Sequence, residues 1–303
     1  MAFTAQDVKK LREMTNCGMM DCKKALTETD GDMDKAVEFL REKGLATAAK
    51  KAGRIASEGM VEAIVFDNGV AVAVEVNSET DFVAKNADFQ SFVKAIAEVI
   101  AKEAPADVEA LKEMKINDSQ TVGEALTEKI ATIGENMNIR RFERFEGANQ
   151  AYVHAGGRIG VLVNFEVADA AKVDTDEFKT MAKDVAMQIA AVTPEFVRES
   201  EIPAERVEKE KEILTAQALN EGKPANIVEK MVVGRIKKFF KEICLVDQAF
   251  VKDPDITVGK YVENVAKSLG TEISIAKFAR LEKGEGLEKK EDNFADEVAS
   301  MIK

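Results

Sequence analysis

Between residues 4 and 44 the apolar positions recur at helical spacing in three short runs. Val8, Leu11 and Met14 form the stripe of the first, with Thr4 as its cap, Asp7 three residues on, and Asn16-Cys17-Gly18 as its stop. Met19, Cys22, Ala25 and Leu26 repeat in the second. Asp30-Gly31 makes a turn, Asp32 caps a third helix, and Ala36, Val37 and Leu40 face inward. Gly44 is expected to end that helix, with Leu45 as the packing contact that follows. About 40 residues is little for one core, so this unit must lean on the rest of the chain or on a partner. The Ala- and Lys-rich run LATAAKKAGRIA, residues 45–56, reads as a helical or extended linker.

The period then changes to two. Met60–Phe66 and Val70–Val76 flank Asp67-Asn68-Gly69, and Asn-Gly is a strong hairpin signal. Val70, Val72, Val74 and Val76 share one face, with Glu75 on the other. Phe89, Phe92, Val93, Ile96, Val99 and Ile100 then mark an amphipathic helix. The same order returns further along. Tyr152–Val167 is a second glycine-turned hairpin, with Glu166-Val167 opposite Glu75-Val76, and Phe178, Met181, Val185 and Ile189 line a second helix. This is the pattern of a duplicated α+β unit, each sheet covered on one face by helices.

Residues 204–237 interrupt the second unit. Val207, Leu214 and Ala218 on one helix and Ile227, Met231 and Gly234 on another are joined by Gly222-Lys223-Pro224. The charged run Glu205–Glu212 leaves a narrow apolar seam, which suits a projecting antiparallel pair. A β pattern resumes over Ile243–Val251, Asp253-Pro254-Asp255 turns the chain, and a helix over Thr257–Leu269 is closed by Gly270. A strand over Glu272–Ala279 follows. Gly284-Glu285-Gly286 then leads to a terminal helix capped by Asn293, with Phe294, Val298, and Met301 or Ile302 along one side.

One junction stands out. In NSETDFVAKN, residues 77–86, two apolar residues sit in a polar run between a strand pattern and a helix pattern. Phe82 and Val83 are either anchors under the fold or groups offered to another molecule. The second unit has Ala170-Ala171-Lys172-Val173-Asp174 at its junction, without an aromatic, which tilts the reading outward.

Composition narrows the chemistry. Lys and Arg total 43 against 55 Asp and Glu, a net charge of −12 over 303 residues. A chain this acidic is a poor match to the clustered positive charge that nucleic acid requires; Lys50-Lys51 and Lys237-Lys238 read as solvated helix ends. There is one histidine, His154, and three cysteines, Cys17, Cys22 and Cys244, an odd and sparse set that suits reduced thiols in the cytoplasm. No phosphate-binding glycine loop of the GxxxxGK[ST] or GxGxxG type appears, and neither does a CxxC pair. MAFTAQDVKK lacks a signal peptide's apolar run, and no stretch reaches the roughly 20 apolar residues of a membrane span. Neither a cofactor, a metal nor a bound nucleotide is expected.

Six segments together resemble the bacterial elongation factor Ts family: LREMTNCGMMDCKKAL (residues 11–26), REKGLATAAKKAGRIASEG (41–59), VNSETDFVAKN (76–86), IGENMNIRRF (133–142), GGRIGVLV (156–163) and GKPANIVEKMVVGR (222–235). They run nearly from end to end in the family's order. The resemblance implies an α+β fold with a ubiquitin-associated-type three-helix module and linker over 1–54 and two related core subdomains. These would be 55–149, and 150–200 with 238–283; a helical-hairpin insertion over 201–237 and a C-terminal helical module over 284–303 complete the division. It implies a protein that is not an enzyme but a guanine-nucleotide exchange factor for elongation factor Tu, binding both its GDP-bound and nucleotide-free forms.

In the family the segment matching Thr80, Asp81, Phe82 and Val83 dislodges the partner's Mg²⁺. Asp81 would fix that turn through backbone N–H groups or pair with the partner. Met19, Met20 and Cys22 would dock on the nucleotide-binding domain, His154 would meet the partner, and Met231 and Val232 match a stretch near the contact. The helical hairpin leaves a homodimer open. Two other readings compete: an adaptor for ubiquitin-like proteins built on the three-helix unit, and a thiol or metal enzyme using Cys17, Cys22 and His154.

Overall fold

The three helical runs fold as α1 (Ala5–Thr15), α2 (Met19–Glu28) and α3 (Met33–Lys51), in a computed structural model that describes residues 3–15, 17–222 and 224–289. Leu11, Cys22, Ala25, Leu26 and Ala36 are fully buried where the three meet, with Val8 and Leu40 beside them. Asp32 caps α3 by accepting the Lys35 N–H at 3.1 Å. Gly44 does not end the helix, which continues to Lys51. A Cβ on Gly44 would lie 3.6 Å from the Ala131 Cβ. That is an ordinary van der Waals distance, and Gly44 makes no left-handed turn.

Two hairpins follow at the changed period. The first sheet has the antiparallel order β1 (Glu58–Val65), β2 (Ala71–Ser78), β3 (Met137–Phe145). Between its second and third strands lie α4 (Asp81–Ala84), α5 (Ala87–Glu103), α6 (Val108–Glu113) and α7 (Val122–Ile133). Val72, Val74 and Val76 bury one face of β2 against Phe89, Val93, Ile96 and Ile100 of α5. Thr121 and Glu124 form a reciprocal capping box at the start of α7, and Gly134, at φ 85°, ends it.

The second sheet repeats this plan as β4 (Ala148–His154), β5 (Ile159–Val167) and β8 (Ile273–Glu282), with α8 (Asp176–Val192) over one face. Inserted before the last strand are α9 (Ala204–Asn220), α10 (Ala225–Ile243), the small ribbon β6 (Ala249–Phe250) and β7 (Asp253–Thr257), and α11 (Val258–Leu269). In both sheets the third strand is bulged, at Arg140 of β3 opposite Glu75 and Val76 and at Ala276 of β8 opposite Asn164 and Phe165. The bulges pair Glu75 with Asn164, so the correspondence of Glu75-Val76 with Glu166-Val167 is corrected by two residues. A bulge shifts the register that strand periodicity alone cannot see.

The sheets' other faces are not open. Val61, Ala63, Ala71, Ala73 and Phe145 of the first pack on Leu162, Leu281, Ala151 and Val153 of the second. The layers therefore run helices, sheet, sheet, helices. Alanines at these positions and Gly160 let the sheets approach closely; a Cβ on Gly160 would fall 2.4 Å from Val61 Cγ1.

The β pattern expected over Ile243–Val251 is also corrected. Ile236, Phe239, Phe240 and Ile243 recur at helical spacing, so α10 runs to Ile243, and a single 3₁₀ turn (Leu245–Asp247) precedes β6. The terminal helix expected from Asn293, with Phe294, Val298, Met301 and Ile302, lies outside the described residues, as do Asn16 and Lys223 of the two expected turns.

Candidate functional site

A strand ending at Ser78 and a helix starting at Ala87 are joined by the single turn α4, and four residues cannot hold a helical turn unaided. Its geometry comes from fastenings on each side. Thr80 stands at the N-cap position, extended at φ −128° and ψ 155°, but its side chain caps nothing. Instead its N–H donates to Glu135 Oε2 at 3.0 Å and its hydroxyl to Glu135 Oε1 at 2.7 Å. Glu79 accepts the Asn136 N–H at 2.6 Å, and Ser78 donates its hydroxyl to the Thr80 carbonyl at 3.0 Å. At the far end Gln90 Nε2 donates to the Ala84 carbonyl at 3.1 Å, and Asn86 caps α5.

On this turn the two apolar residues part. Phe82 is 79% exposed, whereas Val83 is 7% exposed and belongs to the core under β2 and α5. The expectation that both are offered outward is corrected to one ring, because successive positions of a helical turn point about 100° apart. The second unit has the same device in the 3₁₀ turn Ala170–Asp174: Val173 packs on its core, and the position before it holds Lys172. Phe82 thus occupies a place where the sister unit puts a charged surface residue. Its exposure follows from the turn, not from the side chain's own preference.

Asp81 accepts from Lys85 Nζ at 2.6 Å, and that bond, with the lysine's charge and the more distant Lys283, holds its carboxyl below the usual range. The ammonium also stands 5.9 Å from the Phe82 ring centroid. In the free chain Asp81 therefore makes a salt bridge along one turn.

The β4–β5 turn lies at the same end of the molecule. Lys283 donates its N–H to the Arg158 carbonyl at 2.9 Å and its ammonium to Glu58, which pairs with Ser78 across β1 and β2. His154 is exposed there, its Nδ1 3.0 Å from the Tyr152 hydroxyl. Met19 and Met20, 56% and 73% exposed, open α2. Cys22 does not join them: it is fully buried between the helices, so its expected contact role is corrected to a core role. Met231 and Val232, both half-buried, lie midway along α10, which packs against α9 and the turn at 245–247.

The residues that sequence reasoning passed over are those that hold the turn. Glu79, Glu135 and Asn136 were in quoted segments, but nothing in their spacing pairs positions more than 50 residues apart.

The chemistry of the remaining candidates is subdued. Burial pushes the thiols of Cys17 and Cys22 up, and that of Cys244 up to about 11, away from the thiolate a nucleophile needs. Among the described residues no group of three or more His, Cys, Asp or Glu is placed to hold a metal ion. No described helix is long and apolar enough to cross a membrane.

Comparison with known proteins agrees with the six segments. A family model described as elongation factor TS matches residues 79–285. The elongation factor Ts of Clostridium perfringens strain SM101 is 56% identical over 303 residues, covering 99% of each chain. That of Clostridium novyi strain NT is 57% identical over 305 residues, covering 99% of this chain and 98% of its own, and that of Clostridium kluyveri is 53% identical over 306 residues. With a family match over most of its length and relatives identical at more than half of all positions, the chain belongs to the elongation factor Ts family.

Proposed function

We propose that this chain is a guanine-nucleotide exchange factor for elongation factor Tu, working in the bacterial cytoplasm by binding rather than by covalent chemistry. The observation that supports it most is Phe82: a large ring 79% exposed, on a turn whose backbone is fastened by the Glu135 carboxylate. A ring held out in this way is a group made for another protein's surface. Burying it there contributes roughly 1.5–3 kcal/mol.

In this reading the Thr80–Phe82 edge enters the partner beside its Mg²⁺ and phosphate region. Mg²⁺ demands near-ideal octahedral geometry, so an apolar wedge that shifts its ligands loosens the ion and the GDP it neutralises. Each ~1.4 kcal/mol of coupling weakens GDP about tenfold. By linkage GDP weakens the factor's binding by the same ratio, so the nucleotide-free partner is preferred. Val83 contributes from inside, by anchoring the turn. Met19, Met20 and His154 supply further contacts, with Met231 and Val232 as the most remote candidates. Residues 1–54 act as a docking module of the ubiquitin-associated type, 55–149 and 150–200 with 238–283 as the two core halves, 201–237 as the insertion, and 284–303 as the terminal module. Ile213, Leu219, Ile227 and Val233, all exposed on α9 and α10, give the hairpin an apolar surface that a second copy would cover. Sedimentation of the chain alone and with its partner tests that.

The central test is stopped-flow release of a fluorescent GDP from elongation factor Tu. The wild-type chain accelerates release and Phe82→Ala does so at least tenfold less. Equal acceleration by the two removes the wedge; no acceleration by either removes the function.

A further inference from the structure

The turn between α7 and β3, Gly134-Glu135-Asn136, touches two parts of the molecule. On one side it holds the Phe82 turn, through Glu135 to Thr80 and through the Asn136 N–H to Glu79. On the other it holds the end of the N-terminal helices. Lys51, the last residue of α3, donates its ammonium to the Gly134 carbonyl. Asn136 Nδ2 donates to the Arg54 carbonyl at 2.8 Å, and Asn136 is buried. Arg54 closes the loop by pairing with Glu79 at 3.5 Å.

We propose that this three-residue turn is a coupling bar between the seat of α1–α3 and the Phe82 turn, with Glu135 as the positioning residue that sets the ring's direction. α3 is unbroken from Met33 to Lys51 and lies on α7 through Gly44, so displacing the N-terminal helices moves both ends of the bar. The carboxylate of Glu135 takes both donors of Thr80, which leaves α4 one orientation relative to α7. Docking at Met19 and Met20 and insertion of Phe82 therefore share one rigid frame, and a partner that engages the first finds the second already aimed.

The proposal rests on the exchange-factor reading only for its consequence in GDP release; the bar is a property of the free chain. The test uses the full-length protein as wild type, Glu135→Ala, Glu135→Gln and Asn136→Ala, followed by hydrogen–deuterium exchange. In Glu135→Ala the peptide covering residues 78–85 exchanges about tenfold faster, with β2 and α5 unchanged; Glu135→Gln, which keeps an acceptor, falls between. In Asn136→Ala both that peptide and one covering residues 50–56 speed up. Acceleration at 50–56 alone, no acceleration at 78–85, or a uniform rise in all peptides overturns the bar.

The second readout is GDP release against factor concentration. For Glu135→Ala the maximal rate falls about tenfold while the half-saturating concentration stays within about twofold. A loss confined to half-saturation makes Glu135 a contact residue and overturns the positioning role. Should the wild-type chain not release GDP at all, the exchange reading fails and the hydrogen-exchange result still decides the bar.

Discussion

Glu75 and Arg141 pair at 2.6 Å across β2 and β3, with the carboxylate wholly buried and the guanidinium about one-third exposed. Glu75 also accepts from Arg140 at 3.0 Å, from Asn77 at 3.0 Å and from the Gly284 N–H at 2.8 Å. Arg141 donates onward to the Glu282 carbonyl at 3.2 Å, and Arg140 to that of Glu285 at 2.5 Å. One buried charge of the first sheet thus holds the strap that leaves the last strand of the second. Gly284 has φ 66°, and a Cβ there would meet the Ser57 carbonyl at 2.1 Å, so the strap passes too closely for any side chain.

Glu75→Ala leaves two guanidinium groups and an N–H facing a void. Breaking a buried ion pair by removing one partner costs about 3–5 kcal/mol. Urea unfolding monitored by circular dichroism should show a loss of that size, and amides of residues 280–285 should exchange faster in the variant.

The pH dependence of stability follows from the same group. Burial by itself raises the Glu75 pKa, but the bonds from Asn77, Gly284, Arg141 and Arg140 outweigh it and hold the folded value below the ordinary 4.5. A lowered folded pKa means stabilisation that is complete above the unfolded value and lost as pH falls through the folded one. Between pH 7 and pH 3 the wild-type urea midpoint should drop more than that of Glu75→Gln, which has no carboxylate to protonate. Parallel curves for the two proteins would remove Glu75 from the acid response.

Phe82 and Val83 should separate cleanly. Phe82→Ala removes an exposed ring and should leave stability within about 0.5 kcal/mol, while losing GDP-release activity. Val83→Ala hollows the core beneath β2 and should cost about 1–3 kcal/mol. Thermal unfolding of the pair, measured beside release kinetics, checks both; an unstable Phe82→Ala would mean the ring packs on its own domain.

Gly160→Ala should destabilise although its backbone conformation suits any residue. The added methyl meets Val61 Cγ1 at 2.4 Å in the seam between the sheets. Overpacking of this kind costs about 1–3 kcal/mol. Val61→Ala in the same chain should return part of the loss, read as a non-additive urea midpoint; simple additivity would place the strain elsewhere.

Helical and strand periods, the Asn-Gly turn and the caps at Asp32 and Gly270 were all readable along the chain, because each depends on neighbours within about four residues. Where the reading failed, distant residues had decided. Gly44 looked like a helix end, but α3 continues along α7 to Lys51. Of residues 243–251, read as one strand, only Ala249 and Phe250 are strand, because Ile243 closes α10 and residues 245–247 make a 3₁₀ turn. The repeat was visible as pattern, but its true register needed the two bulges.

The sequence by itself determined the local elements, the family and the segment that carries Phe82. Tertiary structure decided which way each side chain of that segment points. Phe82 and Val83 are both apolar, and composition cannot tell which is buried; the fastening of Thr80 by Glu135, 55 residues away, rotates the turn so that Val83 enters the core and the ring is left outside. Burial is a property of surfaces brought together from afar, and a linear pattern records only those that are near.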